Sequence, residues 1–258
     1  MSQKDVRTET TINIYSSTII GRMRKILYEK GPGFLIRKSS VFAWRFLYNI
    51  LFLRFRKQRF FTYRNEKYPY FYHSYNFTWD NERAVEIPIV MRSMELFRDK
   101  KILEVGNVLS HYFTVEWDVL DKFEEGASII CQDVVDFLPS CKYDLIISIS
   151  TLEHIGFDDD VREPYKVIEA IRNLKQNCLK PDGRMIFTMP LGYNPFMDDL
   201  LFHNKPGFNE IFFMKRISKY EWREVIKEEL GDFSYATDFI EASVIVIVEF
   251  ESGGKFFK

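Results

Sequence analysis

The segment YDLIISISTLEHIG (143–156), followed after a helical stretch by LKPDGRMIFTMPLGYNP (179–195), decides the fold. YDLIISIS (143–150) is a nearly unbroken β-branched and apolar run of strand length, the pattern of a strand covered on both faces. REPYKVIEAIRNLKQNCL (162–179) repeats its apolar residues at helical spacing. Pro181, Asp182 and Gly183 read as a turn, with proline fixing φ and Gly183 expected at φ > 0. RMIFTMP (184–190) is then the next strand. A strand, a crossover helix and another strand make a parallel pair.

The same alternation continues outward. KILEV (101–105), EWDVLD (116–121), SIICQ (128–132), IFFMKRI (211–217) and ASVIVIVEF (242–250) read as further strands. SKYEWREVIKEEL (218–230) reads as a helix, and the last strand as an antiparallel edge. NERAVEIPIVMRSMELF (81–97) reads as a helix capped by Asp80 or Asn81, with a kink or break at Pro88. The fold class is therefore α/β: a Rossmann-like, mostly parallel sheet of about seven strands with helices on both faces. In front of it, FFTYRNEKYPYFYH (60–73) holds two aromatic runs around RNEK, a hairpin pattern. Residues 1–80 are taken as a helical and aromatic extension, and 81–258 as the main domain.

Ligands of open α/β sheets bind beyond the carboxyl ends of the strands. At the first of these ends, KILEVGNVLSHYF (101–113), Gly106 opens a turn that lets a ligand approach the backbone. Glu104 can accept hydrogen bonds there from an ammonium group or a turn amide. Asp121 in WDVLDKF and Asp133 in ICQDVVDF stand at the next two strand ends.

These blocks resemble the class I S-adenosylmethionine (SAM)-dependent methyltransferases. Their first motif, acidic-x-Gly-x-Gly-x-Gly, is matched by Glu104 and Gly106, while Val108 and Ser110 stand where the other glycines would be. Their fourth strand reads YDLIxS before a Leu-Glu-His turn, and their fifth follows a Leu-Lys-Pro-Gly-Gly turn. The likeness covers roughly residues 81–250. It implies SAM as cofactor, Asp121 on the ribose hydroxyls and Asp133 on the adenine amino group, with Val134 beside the base. Asn107, next to Gly106, and position 149 at the end of the fourth strand (Ile149, between Ser148 and Ser150) complete the implied cofactor set. NERAVEIPI, EHIGF and MPLGYNP are similar to a subgroup associated with surface-glycan and polysaccharide genes.

For catalysis His154 is the candidate base, with Glu153 orienting it or capping the next element; the alternative is a structural histidine in a tight turn. His111 and His203 rank behind it. The loop 192–204, with Tyr193, Asn194, Asp198 and Asp199, is placed to line an acceptor pocket or to be a surface loop. Cys131, Cys141 and Cys178 form no CxxC pair, so no metal site is expected, and a reduced, cytoplasmic setting fits.

Charge divides the chain. Residues 1–80 carry 15 Lys and Arg against 5 Asp and Glu, and the remainder 21 against 32. Within the basic head, residues 34–59 are apolar and basic, with Lys38, Arg45, Asn49 and Arg56 on one narrow stripe of a helical wheel, and Arg45 interrupts any run long enough to span a membrane. The segment is read either as an interfacial helix on an anionic membrane or as a packed cap. Its aromatic residues lie on the apolar arc, which argues against nucleic acid as the partner. The function expected is methyl transfer to a hydroxyl or amine of a small or glycan-type, including lipid-linked, acceptor. The alternative is a scaffold that kept the fold and lost catalysis. A nicotinamide-dependent enzyme ranks last, for want of a fuller GxGxxG turn.

Overall fold

The computed structural model describes residues 57–252, apart from positions 127, 160, 204–206, 234 and 236–241. Almost all of the basic segment 34–59 lies outside the described residues. Among the described residues no helix is long and apolar enough to cross a membrane.

Eight strands form one sheet: β3 (Ile102–Val105), β4 (Asp118–Asp121), β5 (Ile129–Cys131), β6 (Tyr143–Ile149), β7 (Leu179–Pro190), β8 (Glu210–Ser218), β9 (Glu221–Val225) and β10 (Val244–Glu251). Their order is β5-β4-β3-β6-β7-β10-β8-β9, parallel from β5 to β7 and antiparallel beyond. β1 (Phe60–Tyr63) and β2 (Glu66–Pro69) make a separate antiparallel hairpin. Arg64 and Asn65, both at positive φ, form its two-residue turn, whose backbone matches the twist of the flanking strands.

The sheet is covered on both faces, which is why its central strands are apolar throughout. Side chains alternate across the pleat. Leu145, Ile147 and Ile186 face the helix α1 (Arg83–Glu95) and the hairpin residues Phe61, Tyr63 and Tyr70. Ile146, Met185 and Phe187 face the helices α2 (Lys166–Asn173) and α3 (Pro195–Phe202). The hairpin, assigned to the extension on sequence, thus packs into the core of the main body, and the compact unit begins at Lys57.

Pro88 does not break α1, which runs through it from Arg83 to Glu95. A proline cannot donate to the carbonyl four residues back. The freed Ala84 carbonyl accepts instead from Phe71 N–H at 2.9 Å, just beyond the hairpin. The lost helix bond becomes a tie between two elements. Just before the helix, Asn81 Oδ1 accepts from Arg83 N–H at 3.0 Å.

Three expectations are corrected. Residues 218–230 are not a helix: β9 pairs with β8, and a short 3₁₀ turn follows over Lys227–Glu229. Tertiary contacts override the local propensity here. Trp222 is buried, and its N–H donates to the Tyr70 hydroxyl at 2.8 Å. β10 is not an edge but lies between β7 and β8, which accounts for its VIVIV run and brings the sheet to eight strands. Gly183 has no positive φ. It lies in a bulge of β7, where an added Cβ would come within 2.8 Å of Leu179 Cδ1.

Replacing Tyr70 with Phe keeps the ring but leaves the buried Trp222 N–H without its acceptor. Urea unfolding of Tyr70→Phe should show a loss of about 1–3 kcal/mol. An unchanged midpoint would contradict this packing of β9.

Candidate active site

The strand order reverses between β3 and β6, and a crevice opens beyond the carboxyl ends of β3, β4, β5 and β6 at that switch point. It holds two recesses. One, about 380 Å³, is lined by Leu120 and Asp121, by Asp133 and Val134, and by His154 and Ile155 among others. The other, about 250 Å³, runs past Arg83, Asn107, His111 and Tyr112. Gly106, Asp121 and Thr151 line both.

Glu104 builds the turn between them. Its buried carboxylate accepts from Val108 N–H (3.0 Å), Leu109 N–H (2.8 Å) and Trp117 Nε1–H (2.9 Å). Of the two partners expected for Glu104, the turn amides are the ones it meets. Burial pushes its carboxyl above the ordinary range, against the pull of these donors. The turn presses against the loop after β6: a Cβ on Gly106 would stand 2.1 Å from Thr151 Oγ1, and φ there is +86°. Glycine is required on both counts.

Asp121 Oδ1 accepts from Phe123 and Glu124 N–H, each at 2.8 Å, and Oδ2 from Asn107 N–H at 3.2 Å. A carboxylate offers about four acceptor positions, so Asp121 is held in place with capacity left toward the recess. Asn107 is buried; its Nδ2 donates to Glu124 at 2.5 Å, while its Oδ1 has no partner among the described residues.

Asp133 belongs to an ion cluster. Lys166 Nζ lies 2.8 Å from Asp133 and 2.7 Å from Asp159, and Lys122 Nζ 3.2 Å from each. Burial opposes ionisation of Asp133, but the two lysines outweigh it and hold its carboxyl below the usual range. The cluster joins the loops after β4, β5 and β6 to the start of α2. Position 149 does not reach the crevice: Ile149 is buried on the α1 face. Its neighbours are structural. Ser148 Oγ donates to Val105 O at 2.9 Å, and Ser150, strained at φ 39°, donates to Glu86 through Oγ at 2.8 Å.

His154 lies at the wall of the larger recess. Its Nδ1 is 2.5 Å from Asp158, which also accepts from the Tyr193 hydroxyl. A carboxylate at Nδ1 makes that nitrogen the proton carrier and turns Nε2 toward Glu153 Oε1, 3.8 Å away. Burial raises the Asp158 carboxyl, but hydrogen bonds from Tyr193 and His154 hold it below the ordinary range.

Glu153 is fully buried, and neither of its oxygens has a hydrogen-bond partner among the described residues. Burial, followed by the nearby Glu86, pushes its carboxyl well above the ordinary range despite Arg83. Of the loop 192–204, Asn194 Nδ2 donates to the Glu153 carbonyl at 2.8 Å, and Asn194 Oδ1 caps α3. Asp198 accepts from Gly192 N–H at 3.0 Å, with burial raising its pKa to about 6. His111 lies 3.7 Å from Glu124 and lines the smaller recess, while His203 is exposed beside Asp199, away from the crevice. Among the described residues no cluster could hold a metal ion.

Sequence reading missed Arg83, Glu82, Glu86, Asp158 and the two lysines. The i, i+4 spacing of Glu82 and Glu86 in NERAVEI is a signal that both fall on one side of the start of α1.

No protein-family model matches the chain, and no curated protein sequence matches it. Solved structures similar to it are methyltransferases. The N-methyltransferase NodS from Bradyrhizobium japonicum, in complex with S-adenosylhomocysteine, is 11% identical over 64% of this chain and 85% of its own, at a TM-score of 0.39. A 1,6-didemethyltoxoflavin-N1-methyltransferase from Burkholderia thailandensis is 13% identical over 71% and 84%, at 0.40. A TehB-like SAM-dependent methyltransferase from Corynebacterium glutamicum is 16% identical over 59% and 80%, at 0.37. At these identities and scores the likeness transfers no activity to this chain.

Burial of Glu153 gives folding a pH dependence with a definite sign. Its folded pKa lies above the unfolded value near 4.5, so the folded state binds the extra proton. Stability therefore falls as pH rises from about 4.5 through the folded pKa. The melting temperature of Glu153→Gln minus that of wild type should grow between about pH 5 and 8. A difference that stays constant over that range would contradict the placement.

Proposed function

We propose that this chain is a SAM-dependent methyltransferase acting on a hydroxyl or amine of a small or glycan-type acceptor. The observation that carries the reading is the paired recess at the switch point, joined by Gly106, Asp121 and Thr151. An elongated nucleoside ligand suits such a pair, each recess taking one end. The residues fit the group: Gly106 lines both recesses with no side chain of its own, Asp121 keeps acceptor capacity, and Asn107 has a buried oxygen without a partner among the described residues.

In this reading Asp121 holds the ribose hydroxyls, Val134 and Ile155 flank the base, and Asp133 sits at its amino edge. Arg83, whose guanidinium is kept charged by Glu86 and Glu82 against the effect of burial, meets the carboxylate of the amino-acid end. When bound, the cofactor supplies an electrophilic methyl group on a sulfonium. The protein's own task is to align the acceptor and take its proton. His154, oriented by Asp158 and 44% exposed, can pass that proton to solvent. The chain is read as cytoplasmic, with 34–59 as the segment that would meet an anionic membrane or a lipid-linked acceptor.

Calorimetric titration with S-adenosylhomocysteine tests the reading. Wild type should bind, and Asp121→Ala should weaken binding by about 10- to 100-fold, as loss of a charge-assisted contact implies. Gly106→Ala should abolish it. A well-folded wild type that does not bind would sink the proposal and favour a scaffold.

A further inference from the structure

The mechanism above leaves a group of buried acids unexplained. Glu82, just before α1, and Glu86, in its first turn, both lie close enough to Glu153 after β6 to raise its carboxyl, and Arg83 is the guanidinium set among them. Arg83 pairs with Glu86, which also accepts from Ser150. Glu82 receives a backbone hydrogen bond from Ala242, but among the described residues Glu82 Oε2 and both oxygens of Glu153 are buried without a hydrogen-bond partner. Three vacant acceptor oxygens and a surplus of carboxyl groups are costly in an interior unless a cation with several donors enters.

The surroundings suit such a ligand. Tyr193 and Tyr235 stack edge to face at 5.0 Å, both half-buried, and both phenols feel the charge of Glu153. The Tyr193 ring also lies 4.6 Å from that of His154. Aromatic faces attract cations. An ammonium brings three donors and a positive charge, whereas a hydroxyl brings one donor and none.

Resting on the methyl-transfer reading, we propose that the acceptor is an amine, received as its ammonium ion at Glu82 and Glu153 beside the Tyr193–Tyr235 pair. Glu153, as carboxylate, takes one proton from the ammonium and frees the nitrogen lone pair. That lone pair forms the new N–C bond as the methyl–sulfur bond of the sulfonium donor breaks, its electron pair remaining on sulfur. The product leaves as the N-methylammonium ion. The proton on Glu153 passes to His154 Nε2 and then to solvent.

The test uses the full chain, first titrated calorimetrically with S-adenosylhomocysteine. Ligand-observed NMR titrations at neutral pH then compare n-butylamine, 1-butanol and pentanoate. The amine should bind at least about 10-fold more tightly than the alcohol, and pentanoate not at all. The preference should vanish in Glu153→Gln and in Glu82→Gln, both of which should still bind S-adenosylhomocysteine. Equal or tighter binding of the alcohol, no binding of any probe, or a preference that survives both substitutions overturns the amine assignment alone. Failure of the folded wild type to bind S-adenosylhomocysteine overturns the methyl-transfer reading, and this assignment with it.

Discussion

The crevice depends on the three hydrogen bonds received by Glu104. Its carboxylate lies at the end of a central strand, out of water, and folds the following segment back over the strand end through the amides of Val108 and Leu109. That places Gly106 against Thr151 and Asn107 against Asp121, so the loops after β3, β4 and β6 share one wall. A carboxylate with these donors tolerates burial; without them it would be among the costliest groups in the core. The turn is held by these donors without a glycine at position 108 or 110. Val108 and Ser110 stand there, in a segment that makes a short 3₁₀ turn over Leu109–His111.

The acids of the crevice fall into two kinds. On one side Asp121 is held by backbone amides and Asp133 by Lys122 and Lys166, and such groups are pre-set to orient a polar ligand. On the other side both oxygens of Glu153 and one of Glu82 have no donor among the described residues, and both groups are penalised by burial. The first kind costs little and positions; the second stores unfavourable energy that a cationic ligand would relieve. Ser150, held at positive φ between Thr188 O and Glu86, lies where the two sides meet.

Much of the fold is legible in the sequence because its signals are local. The apolar runs 143–150 and 184–190 locate β6 and the greater part of β7, and RNEK locates the hairpin. The failures have a tertiary origin. WREV reads as helix until Trp222 is seen to bury its ring and donate to Tyr70, more than 150 residues from it in sequence. Pro88 reads as a break until Phe71 is found at the freed carbonyl. The site follows the same rule. Glu104, Gly106, Asp121 and Asp133 are visible as strand-end residues, whereas the Asp158–His154 pairing and the approach of α1 to Glu153 need the folded chain.

A crystal structure of the chain grown with S-adenosylhomocysteine is the most direct measurement. The expected result is adenosine density in the larger recess, with both ribose hydroxyls on Asp121 and the base between Val134 and Ile155, and the amino-acid end running past Gly106 toward Arg83. Density bound elsewhere, or an empty crevice at a saturating concentration, would contradict the assignment of the switch-point crevice as a methyl-donor site.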